Sequence, residues 1–138
     1  MEVKRVGVPL LLVLALLAIA AGGYWLKRPA EAIAIPCVDP LAGCAFSHRG
    51  APASVRFSKR PAPLQAFELN VTAPGAAKVS AEFHMVGMDM GFNRYDLRRA
   101  GEGFAARITL PVCVSGRRDW GLTLDIDGAH YTLRFSTQ

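Results

Sequence analysis

Three observations in the sequence predict an all-β chain behind one N-terminal transmembrane helix. Residues 6–26 carry no charged side chain, strict apolar/polar alternation dominates residues 53–136, and glycine, proline and aspartate interrupt that alternation at short intervals. Period-two alternation marks strands with one dry face. Six or seven such strands with frequent turns point to an immunoglobulin-like antiparallel β-sandwich.

The uncharged run comes first. It holds 21 residues, and a helix needs about 20 apolar residues to cross a bilayer. Lys4 and Arg5 precede it, Tyr24 and Trp25 stand where an interfacial aromatic belt belongs, and Lys27 and Arg28 close it. A cleaved signal peptide is the competing reading, since Lys4, Arg5, the apolar core over 6–17 and Ala18-Ile19-Ala20 meet its pattern. The anchor is the preferred reading because it also explains the continuation to Leu26 and the Tyr-Trp-Leu-Lys-Arg stop. No cysteine follows closely enough to be a lipidated N-terminus. A short basic tail ahead of a single span places the tail in the cytoplasm and the rest in the periplasm or cell exterior. The expected location is therefore the bacterial inner (cytoplasmic) membrane, single-pass.

This segment also accounts for the composition. The chain is 51% hydrophobic with a net charge of +5, a mean hydropathy of +0.24 and a pI near 9.5. Lys4, Arg5, Lys27 and Arg28 against Glu2 supply +3 of the charge, and residues 29–138 hold 12 basic and 10 acidic side chains. No basic stripe remains for a nucleic acid, which is not an expected partner. With 138 residues, one globular domain is the limit. The expected organisation is a membrane anchor over 1–28, a stalk over 29–35 and a β-sandwich over 36–138.

The strands follow in order. A weaker one covers 53–58. Phe67, Leu69 and Val71 alternate with Glu68 and Asn70, and Val79, Ala81, Phe83 and Met85 alternate with Ser80, Glu82 and His84. Ala73-Pro74-Gly75 is the turn between them. Gly101-Glu102-Gly103 leads into a strand over 104–110. Trp120, Leu122, Leu124 and Ile126, then Tyr131, Leu133 and Phe135, form the last two, joined by Asp127-Gly128, a strong two-residue hairpin signal. No sustained helical periodicity occurs beyond residue 30.

The chemistry concentrates in one place. Apart from Met1, all methionines, Met85, Met88 and Met90, lie within six residues. If the strand from Lys78 stays regular, Met85 faces inward while His84, Met88 and Met90 face the other way. One imidazole and two thioethers suit Cu(I), which soft sulfur ligands select. The competing reading is a bulge at Gly87 with methionines filling gaps where a strand leaves the core. Asp89 and Asn93 read as turn residues, His48 as a weak loop candidate, and His130 as an exposed strand residue. Asp119, Asp125 and Asp127 read as solvated strand and turn residues.

Cys37 and Cys44 bracket the turn-rich Val-Asp-Pro-Leu-Ala-Gly loop, and an oxidising compartment makes them the first choice for a disulfide. Cys113 is then unpaired, either a buried thiol in its apolar Leu-Pro-Val-Cys-Val context or a copper ligand, and its pairing with Cys37 or Cys44 stays open. Phosphate loops, nucleophile elbows, His-Glu-x-x-His and Cys-x-x-Cys are all missing, so catalysis is not expected.

The stretch Met88-Asp89-Met90-Gly91-x-Asn93-x-Tyr95-x-Leu97, with Gly101-x-Gly103-Phe104 and Leu110-Pro111, resembles the FixH and YtkA-like group of small membrane-anchored or exported β-sandwich proteins. The resemblance covers roughly residues 50–138. It implies copper handling and cytochrome oxidase assembly, with a respiratory oxidase as partner and Met88 and Met90 as metal ligands. Asp89 stands where the group's motif often has proline, and the three cysteines are not part of that pattern. Two functions follow as expectations. One is a membrane-anchored accessory protein binding copper(I) through Met88 and Met90, completed by His84 or Cys113. The other is a metal-free sandwich that docks a membrane protein partner. Disulfide exchange through the cysteines is a third reading, weakened by the lack of a short dithiol spacing.

Overall fold

A computed structural model describes residues 3–28, 31–88, 91 and 93–138. They belong to two units, Met1–Ala30 and Glu31–Gln138. In the first, α1 (Val3–Leu26) is one continuous helix. Its large side chains are exposed all around, Leu12, Leu16 and Ile19 among them. A helix apolar on every face satisfies its own backbone and leaves its side chains to a nonpolar surrounding. After it, the Arg28 guanidinium lies 4.7 Å over the Trp25 ring and 5.4 Å over Tyr24, so cation and aromatic belt share one end of the span.

The second unit holds ten strands: β1 (Ile33–Ala34), β2 (Cys44–His48), β3 (Ala51–Phe57), β4 (Phe67–Thr72), β5 (Val79–Met85), β6 (Arg94–Asp96), β7 (Arg98–Ala100), β8 (Gly103–Ile108), β9 (Asp119–Ile126) and β10 (Ala129–Ser136). They form two five-stranded sheets, β1-β10-β9-β5-β6 and β2-β3-β4-β8-β7. All pairings are antiparallel except β1 with β10. The fold is thus the all-β sandwich behind one apolar helix that the alternation predicts.

Register explains the core. Across β5, β9 and β10 the inward rows are Ala81, Leu124 and Tyr131; Phe83, Leu122 and Leu133; and Met85, Trp120 and Phe135, all buried. Four aromatic rings bridge the sheets. Phe57 and Phe67 of one sheet meet Phe135 and Phe83 of the other, with centroids 5.1 to 6.2 Å apart around the set. Such tilted and edge-to-face contacts add to the stabilisation from burial.

Turn chemistry falls where the residue types demand it. Asp127 and Gly128 have φ of 49° and 87°, the left-handed pair of a two-residue hairpin. The Asp127 carboxylate accepts from the main-chain N–H groups of Ala77 and Lys78, tying the β4–β5 connection to this hairpin.

Two differences from expectation have physical causes. The segment expected as a stalk, 29–35, enters the sandwich before its end: Ile33 and Ala34 pair with Tyr131 and Thr132, and Ile35 is buried with its N–H bonded to Thr132. A two-residue edge strand is too short for alternation to reveal. The strand count also exceeds six or seven: β2, in the segment that holds Cys44, is not among the expected strands, and β6 and β7 are three-residue edge strands whose side chains are mostly exposed and carry no burial pattern. Short, charged edges of this kind discourage edge-to-edge association.

Candidate functional site

The methionine stretch begins inside the fold and leaves it abruptly. Met85 ends β5 with its side chain buried. Gly87 then adopts φ 80°, a conformation that glycine reaches without strain, and the Met88 N–H bonds to the Met85 carbonyl at 3.2 Å. Strand parity therefore stops at Met85 and does not place Met88, whose side chain is 42% exposed.

A second loop, residues 111–118, comes to meet it. The Gly116 N–H closes on the Cys113 carbonyl, the Val86 N–H bonds to the Asp119 carbonyl, and the Arg117 guanidinium donates to the Val86 carbonyl at 2.8 Å. These bonds bring the Cys113 Sγ within 3.6 Å of the Met88 Sδ. Ser115 Oγ lies 2.9 Å from the thiol and 3.7 Å from the thioether. The Ser115 hydroxyl first, then main-chain N–H groups and the Arg117 charge, hold the Cys113 thiol below its ordinary pKa. Hydrogen bonds and positive charge favour thiolate, the form that binds metals and reacts.

Of the expected ligands, Met88 and Cys113 are thus brought together. Cys113 is half-buried, not sealed in the core, because the loop carrying it is exposed at Val112 (55%) and Val114 (103%). His84 is elsewhere. It projects from the outer face of β5 opposite Gly121, its imidazole filling the space a Cβ on Gly121 would take, with no hydrogen bond to either sulfur. Met90 and Asp89 lie outside the described residues. Cys37 and Cys44 form the expected disulfide, with Cα atoms 5.2 Å apart.

The other candidates serve the scaffold. His48 is not a loop residue: it ends β2, buried, with Nδ1 2.7 Å from the Tyr131 hydroxyl. His130 approaches Asp125 at 3.7 Å, Asp125 also accepts from the Gly128 N–H, and the Asn93 carbonyl accepts from the Phe83 N–H. Among the described residues no three His, Cys, Asp or Glu side chains converge as a metal-binding group.

Sequence reasoning missed Ser115 and Arg117. Their role depends on a contact between segments 25 or more residues apart, and the only local signal was the turn-forming Ser115-Gly116. Comparison with family models, with curated proteins and with solved structures finds no match.

Proposed function

We propose that this chain is a non-enzymatic, membrane-anchored interaction module that docks an integral membrane protein through the loop end bearing Val112, Val114 and Met88. The observation that carries this reading is the exposure of these three apolar side chains on two loops bonded to each other. Exposed apolar side chains brought together at one loop end are a common mark of a protein-binding face. The anchor confines the module to partners in or at its own membrane, for which we take the bacterial inner membrane with the sandwich on the periplasmic side. The Cys37–Cys44 disulfide fits that oxidising side.

The test is photocrosslinking in native membranes from position 114 and, as control, from Thr123 on the outer face of β9. One discrete adduct from 114, none from 123, and no change on adding a Cu(I) chelator is the expected result. Equal adducts from both positions would sink the docking reading.

The Met88–Cys113 approach favours a second reading, copper(I) binding in copper delivery or cytochrome oxidase assembly. A thiol held toward thiolate beside a thioether is the donor chemistry that soft Cu(I) prefers. His84 and Met90 are further donors under this reading. Cu(I) titration of the full chain in detergent should then show about one equivalent bound, lost when Met88→Leu and Cys113→Ser are combined. Unchanged uptake in that double variant, or none in the parent, removes copper.

A further inference from the structure

A cleft in the sandwich unit involves neither the Met88 nor the Cys113 sulfur. Its volume is about 650 Å³, and its walls come from the disulfide loop, the segment after β3, the approach to β9 and the end of β10. The buried residues Phe57 and Phe135, with ring centroids 5.1 Å apart, are part of its lining. The walls are bonded to one another: Phe57 N–H to the Pro40 carbonyl, Gln138 N–H to the Pro61 carbonyl, and Thr137 N–H to the Arg118 carbonyl, at 3.0, 3.1 and 3.0 Å. The Cys37–Cys44 bridge closes the loop that supplies one wall.

Three arginines, Arg60, Arg118 and Arg134, are among the residues that line this cleft. Among the described residues none of them has an ion-pair partner, and none donates a side-chain hydrogen bond, as is also true of Arg98 and Arg107 outside the cleft but not of Arg49, Arg56, Arg94, Arg99 and Arg117. Among the lining side chains the one carboxylate, Asp39, is turned to its own loop, accepting from the Leu41 N–H at 3.0 Å. Three planar cations without an ion-pair partner on one cleft are suited to a multi-oxygen anion, since each fork can offer two parallel N–H donors.

We propose that this cleft binds a phosphate group, supplied by a soluble phosphate compound or by the headgroup of an anionic phospholipid. The test uses the ¹⁵N-labelled full chain in phosphatidylcholine nanodiscs at about 0.15 M ionic strength, where long-range attraction is largely screened. Arginine Nε–H resonances are followed as inorganic phosphate is added, and separately in nanodiscs containing phosphatidylglycerol. Saturable shifts confined to Arg60, Arg118 and Arg134 are expected, with Arg107 on β8 unmoved. Shifts with phosphate identify a soluble source, and shifts with phosphatidylglycerol alone a lipid headgroup. Combining Arg118→Gln with Arg134→Gln should weaken binding at least about tenfold, the loss of two charge-assisted contacts. The proposal is overturned if neither probe moves the three resonances, if Arg107 moves with them, or if the double variant titrates like the parent.

Discussion

A glycine inside a β-strand normally weakens it, yet Gly121 sits in the middle of a sheet with His84 and Arg134 as its cross-strand neighbours. The His84 imidazole occupies the place of the missing side chain. Gly121→Ala should therefore destabilise the sandwich by about 1–3 kcal/mol through overpacking, and His84→Ala should remove most of that penalty. Urea denaturation of the two single variants and the double variant measures this, and an equal loss in both backgrounds would rule out the packing account. Cys113 gives a second prediction at this scale. Because its pKa is lowered, mainly by Ser115, the thiolate forms at lower pH than in an ordinary cysteine, so the pH profile of its alkylation is displaced downward. Ser115→Ala should move the profile back up, and an unmoved profile would show that the hydroxyl is not the cause. The methionine cluster and the odd cysteine were legible in the sequence as residue types. Their juxtaposition was not, since a 3.6 Å contact between residues 25 positions apart depends on how two loops close, which periodicity does not encode.

At the scale of elements, legibility followed burial. β4, β5, β9 and β10 each bury alternate residues, and their one-sided dryness is what the alternation recorded. β1, β6 and β7 lie at sheet edges and keep most of their side chains in solvent, so they leave no such trace. The β9–β10 hairpin was readable for a different reason, because Asp-Gly is among the few pairs that accept two consecutive positive φ values. What the sequence did not show is that the Asp127 carboxylate also binds the N–H groups of Ala77 and Lys78, which lowers its pKa. A carboxylate with a depressed folded pKa contributes stability that is present above the unfolded value and lost as pH falls through the folded one. Asp127→Asn keeps the turn geometry but cannot titrate. Its urea midpoint should lie below the parent's at neutral pH, and the gap should narrow as pH drops below about 4. A gap independent of pH would mean that the charge of Asp127 is not linked to folding.

For the whole molecule, the disulfide and the apolar helix make a joint statement about compartment. The chain has three cysteines, two in the bridge and Cys113 free. Outside the cytoplasm the parent should therefore expose one titratable thiol after denaturation without reductant. The uncharged span Val6–Leu26 is the one helix among the described residues long and apolar enough to cross a membrane, and export is expected to depend on it. Arginine near the centre of such a helix costs about 2.5–3.5 kcal/mol on insertion scales, so Leu12→Arg combined with Leu16→Arg should abolish insertion. Alkaline extraction should then release the variant from membranes. Its thiol count should rise from one to three, because the reducing cytoplasm keeps Cys37 and Cys44 apart. The sandwich core contains neither substituted position, so a change in thiol count reports the compartment and not a failure of the β fold, which near-UV circular dichroism checks separately. A variant that stays membrane-bound with one free thiol would show that something other than the span carries the sandwich across. One that leaves the membrane yet keeps its bridge would show that the bridge forms without export.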